Sequence, residues 1–174
     1  MRRHLIFLAI LVTLLPVAAT AAIMVRMPLD DLTGNADVVA LATVERAESF
    51  LDEDEGRIYT RHFLKTSEYL KGAGRETVEV VTLGGELEDI GQVVPGEARF
   101  EKGEEVLVCL MKSRRGYAVV GMSQGKFRVE KREGKSWLVR SLRGVHFVGD
   151  GASVKDSNEL PLEAFRALIK SQSR

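Results

Sequence analysis

Cysteine is almost absent from this sequence, since Cys109 is the only one in 174 residues. A single cysteine excludes a disulfide within the chain and a zinc site built from several thiolates. Neither sign of charge is in excess, because 25 basic residues balance 25 acidic residues. This balance excludes the broad positive field that attracts nucleic acid. Cys109 lies in an apolar run, residues 106–111, and is predicted to be a small buried core residue.

Long hydrophobic runs are also scarce. The one that stands out, residues 5–15, is shorter than the roughly 20 apolar residues of a membrane-spanning helix. Two arginines precede it, and Ala19-Thr20-Ala21 fits a small-x-small cleavage site. We therefore predict a signal peptide over residues 1–21 and a mature chain that begins at Ala22. The alternative is a retained N-terminal anchor. The expected location is secreted or periplasmic, with membrane contact only through this segment.

Patterns that bind metals are missing as well. His62 and His146 lie far apart, with no H-E-x-x-H spacing, and each is interpreted as a strand-face residue. The acidic stretch 52–56 does not match a calcium loop, because Gly56 falls at position five instead of six. We therefore predict no metal and no cofactor.

One string resembles a catalytic motif, Gly121-Met122-Ser123-Gln124-Gly125, which fits G-x-S-x-G. A nucleophile elbow requires a strand before the serine and a helix after it. Here the following segment, residues 126–130, alternates like a strand. We interpret the string as a structural turn or bulge and predict that the chain is not an enzyme. The alternative is a small serine hydrolase that uses Ser123.

Short β-type runs separated by glycine, proline and charged clusters dominate the rest of the chain, which indicates a small, mainly β domain. Alternation is imperfect in residues 58–70, so we expect a bend or bulge there. The other expected strands are residues 38–49, 77–83, 106–111, 117–120, 126–130 and 137–142. The predicted organisation is an N-terminal segment with a short helix (22–36), the β domain (37–142), a glycine-rich linker (143–158) and a C-terminal amphipathic helix (159–174).

The C-terminal helix has the clearest periodicity in the mature chain. Leu162, Phe165, Leu168 and Ile169 fall on one face. Pro161 suits the first helical turn. We expect this face to pack over the β domain.

The order of several motifs resembles the netrin-like module of tissue inhibitors of metalloproteinases, over residues 29–129. The matching strings are Asn35-Ala36-Asp37-Val38-Val39, Tyr69-Leu70-Lys71-Gly72 and Gly103-Glu104-Glu105-Val106. The resemblance implies an OB-type five-stranded Greek-key barrel, here with an added β-hairpin and the C-terminal helix. Animal inhibitors of this family begin with a cysteine that chelates the protease zinc, whereas this mature chain begins Ala22-Ile23. The resemblance therefore implies the fold and does not carry over the inhibitory mechanism.

A basic cluster in the second half of the domain is interpreted as charged turns and a solvated strand face, and no nucleic-acid partner is predicted. Its members are Lys112, Arg114, Arg115, Lys126, Arg128, Lys131 and Arg132.

These observations predict a non-enzymatic binding module whose partner is a protein or another cell-envelope component. A metalloprotease-inhibitor-like protein is the alternative within the binding class. The irregular segment 84–103 is the region where we expect a binding surface, and we expect a short strand within it around residues 92–94. The candidate partner-binding residues are Ile23, Met24, Asp52, Glu53, Asp54, Glu55, Glu86, Glu88 and Asp89.

Overall fold

The computed structural model describes residues 22–149 and 158–172; the predicted signal peptide, residues 1–21, lies outside them. The described chain is mainly β, with a helix at its C-terminal end. The strands are β1 (Ala22–Val25), β2 (Val38–Asp52), β3 (Arg57–Lys71), β4 (Thr77–Leu83), β5 (Gly85–Leu87), β6 (Ile90–Gln92), β7 (Glu105–Ser113), β8 (Gly116–Val119), β9 (Lys126–Arg132), β10 (Lys135–Val139), β11 (Val145–Val148) and β12 (Glu159–Pro161). The α-helices are α1 (Leu29–Gly34) and α2 (Leu162–Gln172), and a 3-10 turn covers Met122–Gly125.

Eight strands form the main sheet, in the order β12-β10-β9-β7-β2-β3-β4-β8, and β8 also pairs with β7. The pairing of β4 with β8 is parallel, whereas β7 and β8 pair in antiparallel fashion. Strands β9 and β10 form the additional hairpin that the sequence predicted. Two further pairs lie outside this sheet, β5 with β6 and β1 with β11.

Strand β7 separates two hydrophobic clusters, which explains why its sequence is apolar without alternation. Val106, Val108 and Leu110 pack into the first cluster with β2, β3, β4 and β8. Leu107 and Cys109 point the other way, into a second cluster with α1, α2, β9 and β10. Cys109 is fully buried, as predicted. Burial raises the pKa of its thiol to about 12.

The bend or bulge expected in residues 58–70, which lie in β3, is confirmed. The register between β2 and β3 shifts at three places. Val39 pairs with Lys71 and Ala40 with Tyr69, so that Leu70 is the extra residue of one bulge. Bulges of this kind increase twist and allow a long strand to bend.

Both predicted helices are present. Helix α1 buries Leu32 and Thr33, and α2 buries Leu162, Phe165 and Ile169. The rings of Phe165 and Phe127 meet edge to face, with centroids 5.8 Å apart. This contact packs α2 on the second cluster. Within the described residues, no helix has the length and apolar character needed to cross a bilayer.

Four local predictions differ from the structure. Pro161 ends strand β12, one residue before α2 begins, instead of occupying the first helical turn. Strand β10 ends at Val139, before residues 140–142. The short strand expected near residues 92–94 is the β5–β6 hairpin, which ends at Gln92. Within the predicted linker, residues 145–148 form strand β11, which pairs in parallel with β1; residues 150–157 lie outside the described chain.

Candidate functional site

The irregular segment 84–103 borders two cavities. The first, the strand cavity, has a volume of about 530 Å³ and lies between this segment and strands β2, β3 and β4. The second, the turn cavity, has a volume of about 450 Å³ and lies beside the 3-10 turn. Both cavities share part of their lining, namely Val93, Glu97, Ala98, Arg99 and Glu101. The segment that the sequence indicated as a binding surface therefore forms a wall of both.

Two glycines fix the position of the β5–β6 hairpin. Gly84 and Gly85 have φ angles of +96° and +143°, which favour glycine. The Gly84 N–H donates to the Ile58 carbonyl at 2.7 Å. The side chain of Gln92 accepts a 2.9 Å hydrogen bond from the Ile58 N–H. Both ends of the hairpin are thus attached to the same residue of β3.

Hydroxyl groups line the inner side of the strand cavity. Ser49 and Thr60 Oγ atoms are 3.1 Å apart, and the Thr60 hydroxyl donates to the Gly84 carbonyl at 2.7 Å. They lie opposite each other on β2 and β3. The hydroxyls therefore connect the hairpin to the sheet while they line the cavity.

A buried histidine lies next to these hydroxyls. His62 is only 6% exposed, and its Nε2 shares a 2.9 Å hydrogen bond with Thr82 Oγ1. Its Nδ1 has no hydrogen-bond partner among the described residues. The ring packs against Phe100, with centroids 4.7 Å apart. Burial, helped by the nearby charge of Lys126, lowers the pKa of His62 to about 4, so the imidazole is neutral at pH 7.

Glu97 is one of two carboxylates, with Glu101, that both cavities share. Burial raises its pKa, and hydrogen bonds from the backbone N–H groups of Ala98 and Leu83 oppose that shift. No ion pair of Glu97 is found in the described part of the chain. The lining of the strand cavity adds two carboxylates, Glu86 and Glu101, against one cation, Arg99. Its charge is therefore predominantly negative.

The G-x-S-x-G string forms a turn, as predicted. Ser123 lies in the 3-10 turn, is 8% exposed, and is followed by strand β9 instead of a helix. Its N–H donates to the Gly96 carbonyl at 3.0 Å, whereas its Oγ has no hydrogen-bond partner among the described residues. Neither histidine of residues 22–149 is hydrogen-bonded to this hydroxyl, and the arrangement of a nucleophile with its base is not found in that part of the chain.

The neighbouring Gln124 explains why the turn is buried. Its side chain accepts a hydrogen bond from the Met27 N–H at 2.8 Å and donates to the Val25 carbonyl at 3.1 Å. These bonds join the turn to the N-terminal segment. The string that resembles a catalytic motif therefore has a structural role, which is to attach the turn to the N-terminal segment.

The acidic loop between β2 and β3 is partly neutralised within the chain. Arg115, in the β7–β8 turn, pairs with Asp52 and Glu55, and Arg114 pairs with Glu55. The guanidinium of Arg115 lowers the pKa of Asp52. Glu53 and Asp54, also predicted as partner-binding residues, are exposed, with no ion pair among the described residues.

The other predicted site residues are divided between two places. Glu86 lines the strand cavity, while Glu88 and Asp89 form the turn of the β5–β6 hairpin. Ile23 and Met24 lie on β1, where Ile23 is 73% exposed and Met24 faces inward toward Gly96. The structure thus places Glu86, Glu88 and Asp89 together and leaves β1 as a separate surface.

Most of the basic cluster forms ion pairs. Lys126 and Arg128 both pair with Glu104, at 2.5 and 3.1 Å. Lys131 pairs with Glu105, and Arg132 pairs with Glu130 and Glu159.

The two histidines of the described chain lie on strands, His62 on β3 and His146 on β11, as expected. In the described ranges, no group of histidine, cysteine and carboxylate side chains could hold a metal ion.

Of the residues that line the strand cavity, sequence reasoning named Glu86 as a site residue and missed the others. The polar residues that it missed include His62, Glu97, Ser49, Thr60 and Thr82. The one available signal was the placement of Thr60 and His62 two residues apart in a strand, which puts them on the same face.

Comparison with known proteins adds no assignment. No family model matches the chain, and no curated protein matches its sequence. Function is therefore inferred from the cavities and from the residues that line them.

Proposed function

We propose that this chain is an exported, non-enzymatic module that binds a protein or another envelope component through the strand cavity and its rim. The proposed scaffold is an OB-type five-stranded Greek-key barrel of β2, β3, β4, β7 and β8. Its support is the pairing pattern, because β2 pairs with β3 and β7, while β8 pairs with β4 and β7. OB-type barrels commonly bind ligands on one face and through adjoining loops.

The observation that carries the proposal is a cavity that is lined by both polar and apolar side chains and has an apolar border. Ile90 and Val93, on the segment that covers the cavity, are 69% and 74% exposed. Leu51 is 50% exposed and lies opposite Ile58, the residue to which the hairpin is attached. Exposed apolar side chains around a pocket are typical of protein-binding surfaces.

The expected location follows from the sequence. Residues 1–21 have the layout of a signal peptide, so the partner is expected outside the cytoplasm, in secreted or periplasmic material. Membrane contact is assigned to that segment, transient if it is cleaved and permanent if it is retained as an anchor. Nucleic acid is not proposed, because the basic side chains of β9 are engaged with Glu104, Glu105 and Glu130.

Two alternatives have less support. Inhibition of a metalloprotease by the N-terminal amine requires that the amine be free to approach the zinc. The Ala22 nitrogen instead donates to the Gly144 carbonyl at 2.9 Å, and β1 is paired with β11. Hydrolysis by Ser123 requires a base at its hydroxyl, and the described residues supply none.

The proposal is tested by filling the cavity from an exposed position. Ala47 lines the cavity on β2 and is exposed, so Ala47→Trp should occupy the cavity without disturbing the core. The matched control is Ala164→Trp, on the exposed side of α2. Each variant is used as bait in the native envelope fraction, and captured material is identified by mass spectrometry.

We expect the wild type and Ala164→Trp to retain the same partner and Ala47→Trp to lose it. Equal capture by all three would overturn the assignment of the cavity. A hydrolase activity abolished by Ser123→Ala would overturn the non-enzymatic assignment.

A further inference from the structure

The structure separates the two acidic regions of the chain by what neutralises them. At the β2–β3 loop, Asp52 and Glu55 have Arg115 as an ion-pair partner. Around the strand cavity, the carboxylates have no ion-pair partner among residues 22–149 and 158–172. They are Glu86, Glu88, Asp89, Glu97 and Glu101. The strand cavity and its hairpin thus carry five carboxylates without an ion-pair partner in the described chain, against two in the β2–β3 loop, Glu53 and Asp54.

Glu97 carries most of the argument, because it is partly buried. A carboxylate removed from water loses solvation, and a nearby cation would restore the loss through charge-assisted hydrogen bonds. Glu97 receives backbone N–H groups but no cationic group from the described chain. Its position in the lining of both cavities makes it reachable from the segment's two sides.

His62 is a second and independent sign of a ligand. Its side chain is only 6% exposed and lines the same cavity. Its Nδ1 atom has no hydrogen-bond partner in the described chain. When Nε2–H donates to Thr82, Nδ1 is a hydrogen-bond acceptor. An acceptor beside carboxylates suits a ligand rich in N–H donors.

We propose that the partner presents a basic and apolar extended segment, whose lysine or arginine side chain enters the strand cavity and pairs with Glu97. This inference rests on the proposed function and adds the chemistry of the partner to it. Apolar side chains of the same segment pack on Ile90 and Val93, which border the cavity. An acidic segment is disfavoured, because three of the four charged groups in the lining are carboxylates.

The test uses a fluorescein-labelled short peptide in which lysine, valine and serine alternate, and a second peptide in which glutamate replaces lysine. Binding to the full chain is measured by fluorescence anisotropy. The decisive variant is Glu97→Gln, which keeps an oxygen for the backbone N–H donors and removes the charge. The matched control is Glu53→Gln, which changes the net charge equally at an exposed site of the acidic loop.

We expect the lysine peptide to bind and the glutamate peptide not to bind. Glu97→Gln should weaken binding by at least about tenfold, the usual consequence of losing one partner of a partly buried charge pair. Glu53→Gln should change it by less than about twofold, as expected for a remote surface charge. Ala47→Trp should abolish binding by obstruction, which keeps the test valid if Glu97→Gln folds poorly.

Equal losses in Glu97→Gln and Glu53→Gln would mean attraction by net charge alone and would overturn this inference. Absence of lysine-peptide binding would overturn it as well. If the envelope partner is still captured by the wild type and lost in Ala47→Trp, the proposed function stands with a partner of different chemistry. If Ala47→Trp retains that partner, the proposed function itself fails.

Discussion

The backbone of Gly85 lies against the side chain of Thr60 so closely that a Cβ at position 85 would be 2.2 Å from Thr60 Oγ1. The same Cβ would be 2.6 Å from Ser49 Oγ. Thr60 cannot move freely, because its hydroxyl donates to the Gly84 carbonyl. The wall and the inner side of the strand cavity are thus one packed unit.

Gly85→Ala should therefore destabilise the protein and displace the β5–β6 hairpin. The matched control is Gly103→Ala, since Gly103 also has a positive φ, +82°, but a Cβ there meets nothing within 4 Å. Backbone strain alone should cost roughly 1 kcal/mol in the control, and the added clash should bring Gly85→Ala to roughly 3 kcal/mol. Urea unfolding of both variants measures the difference. Equal losses would show that position 85 is limited by φ and not by Thr60.

The neutral state of His62 predicts a loss of stability in acid. Its folded-state pKa is about 4, against an ordinary value of 6.5. As the pH falls, the unfolded chain takes up the proton at a higher pH than the folded chain does. The stability that neutral His62 contributes is therefore complete above pH 6.5 and is lost as the pH falls toward 4. The shift corresponds to roughly 3 kcal/mol at most.

His62→Gln provides the comparison for this prediction, because glutamine can still hydrogen-bond to Thr82 but takes up no proton. The free energy of unfolding is measured for both proteins from about pH 7 to about pH 4, the range in which the proton is taken up. The wild type should lose stability faster than the variant. Parallel pH profiles would show that His62 does not titrate with unfolding.

Arg115 should control the ionisation of the β2–β3 loop. Its hydrogen bond is the main cause of the lowered pKa of Asp52, whereas the lowered pKa of Glu55 depends first on Tyr59 and then on Arg115. Arg115→Gln should therefore raise the pKa of Asp52 more than that of Glu55. Carboxyl chemical shifts in an NMR titration report both values. Arg114→Gln should change the pKa of Asp52 less, and an effect as large as that of Arg115→Gln would contradict the observed pairing.

Removal of the Ser123 hydroxyl should be tolerated. The Oγ atom is buried and has no hydrogen-bond partner among the described residues, so Ser123→Ala removes a desolvated polar group without breaking a bond. We expect a change in unfolding free energy within about 0.5 kcal/mol, or a small gain. A fluorophosphonate probe should leave the native wild type unlabelled. Labelling that disappears in Ser123→Ala would instead identify a reactive serine.

The sequence predicted elements whose pattern is local. The apolar run around Cys109 predicted a strand with a buried cysteine, and the spacing of Leu162, Phe165 and Ile169 predicted the helix that packs on the second cluster. Strand β11 was missed because it lies between Gly144 and Gly149 and pairs with β1, which is distant in sequence. Flanking glycines are typical of connectors as well as strand ends, and no local pattern distinguishes the two.

The candidate site was predicted as a region, together with one residue of the strand-cavity lining, Glu86. The acidic residues 52–55 looked like one exposed cluster, but Arg115 arrives from the β7–β8 turn and pairs with two of them. Conversely, Glu97 and His62 have ordinary sequence surroundings. Their significance arises from burial and from missing partners, and both depend on which strands lie next to each other.

The pairing of β1 with β11 has a consequence for how the chain reaches its final form. Ala22 and Val145 are partners although they are roughly 120 residues apart, so this loop is among the most expensive in entropy to close. Contacts of such long range form slowly. The ribbon cannot assemble until nearly the whole chain has emerged from the ribosome. The N-terminal strand thus lacks its β11 partner for most of the time in which the chain is being made.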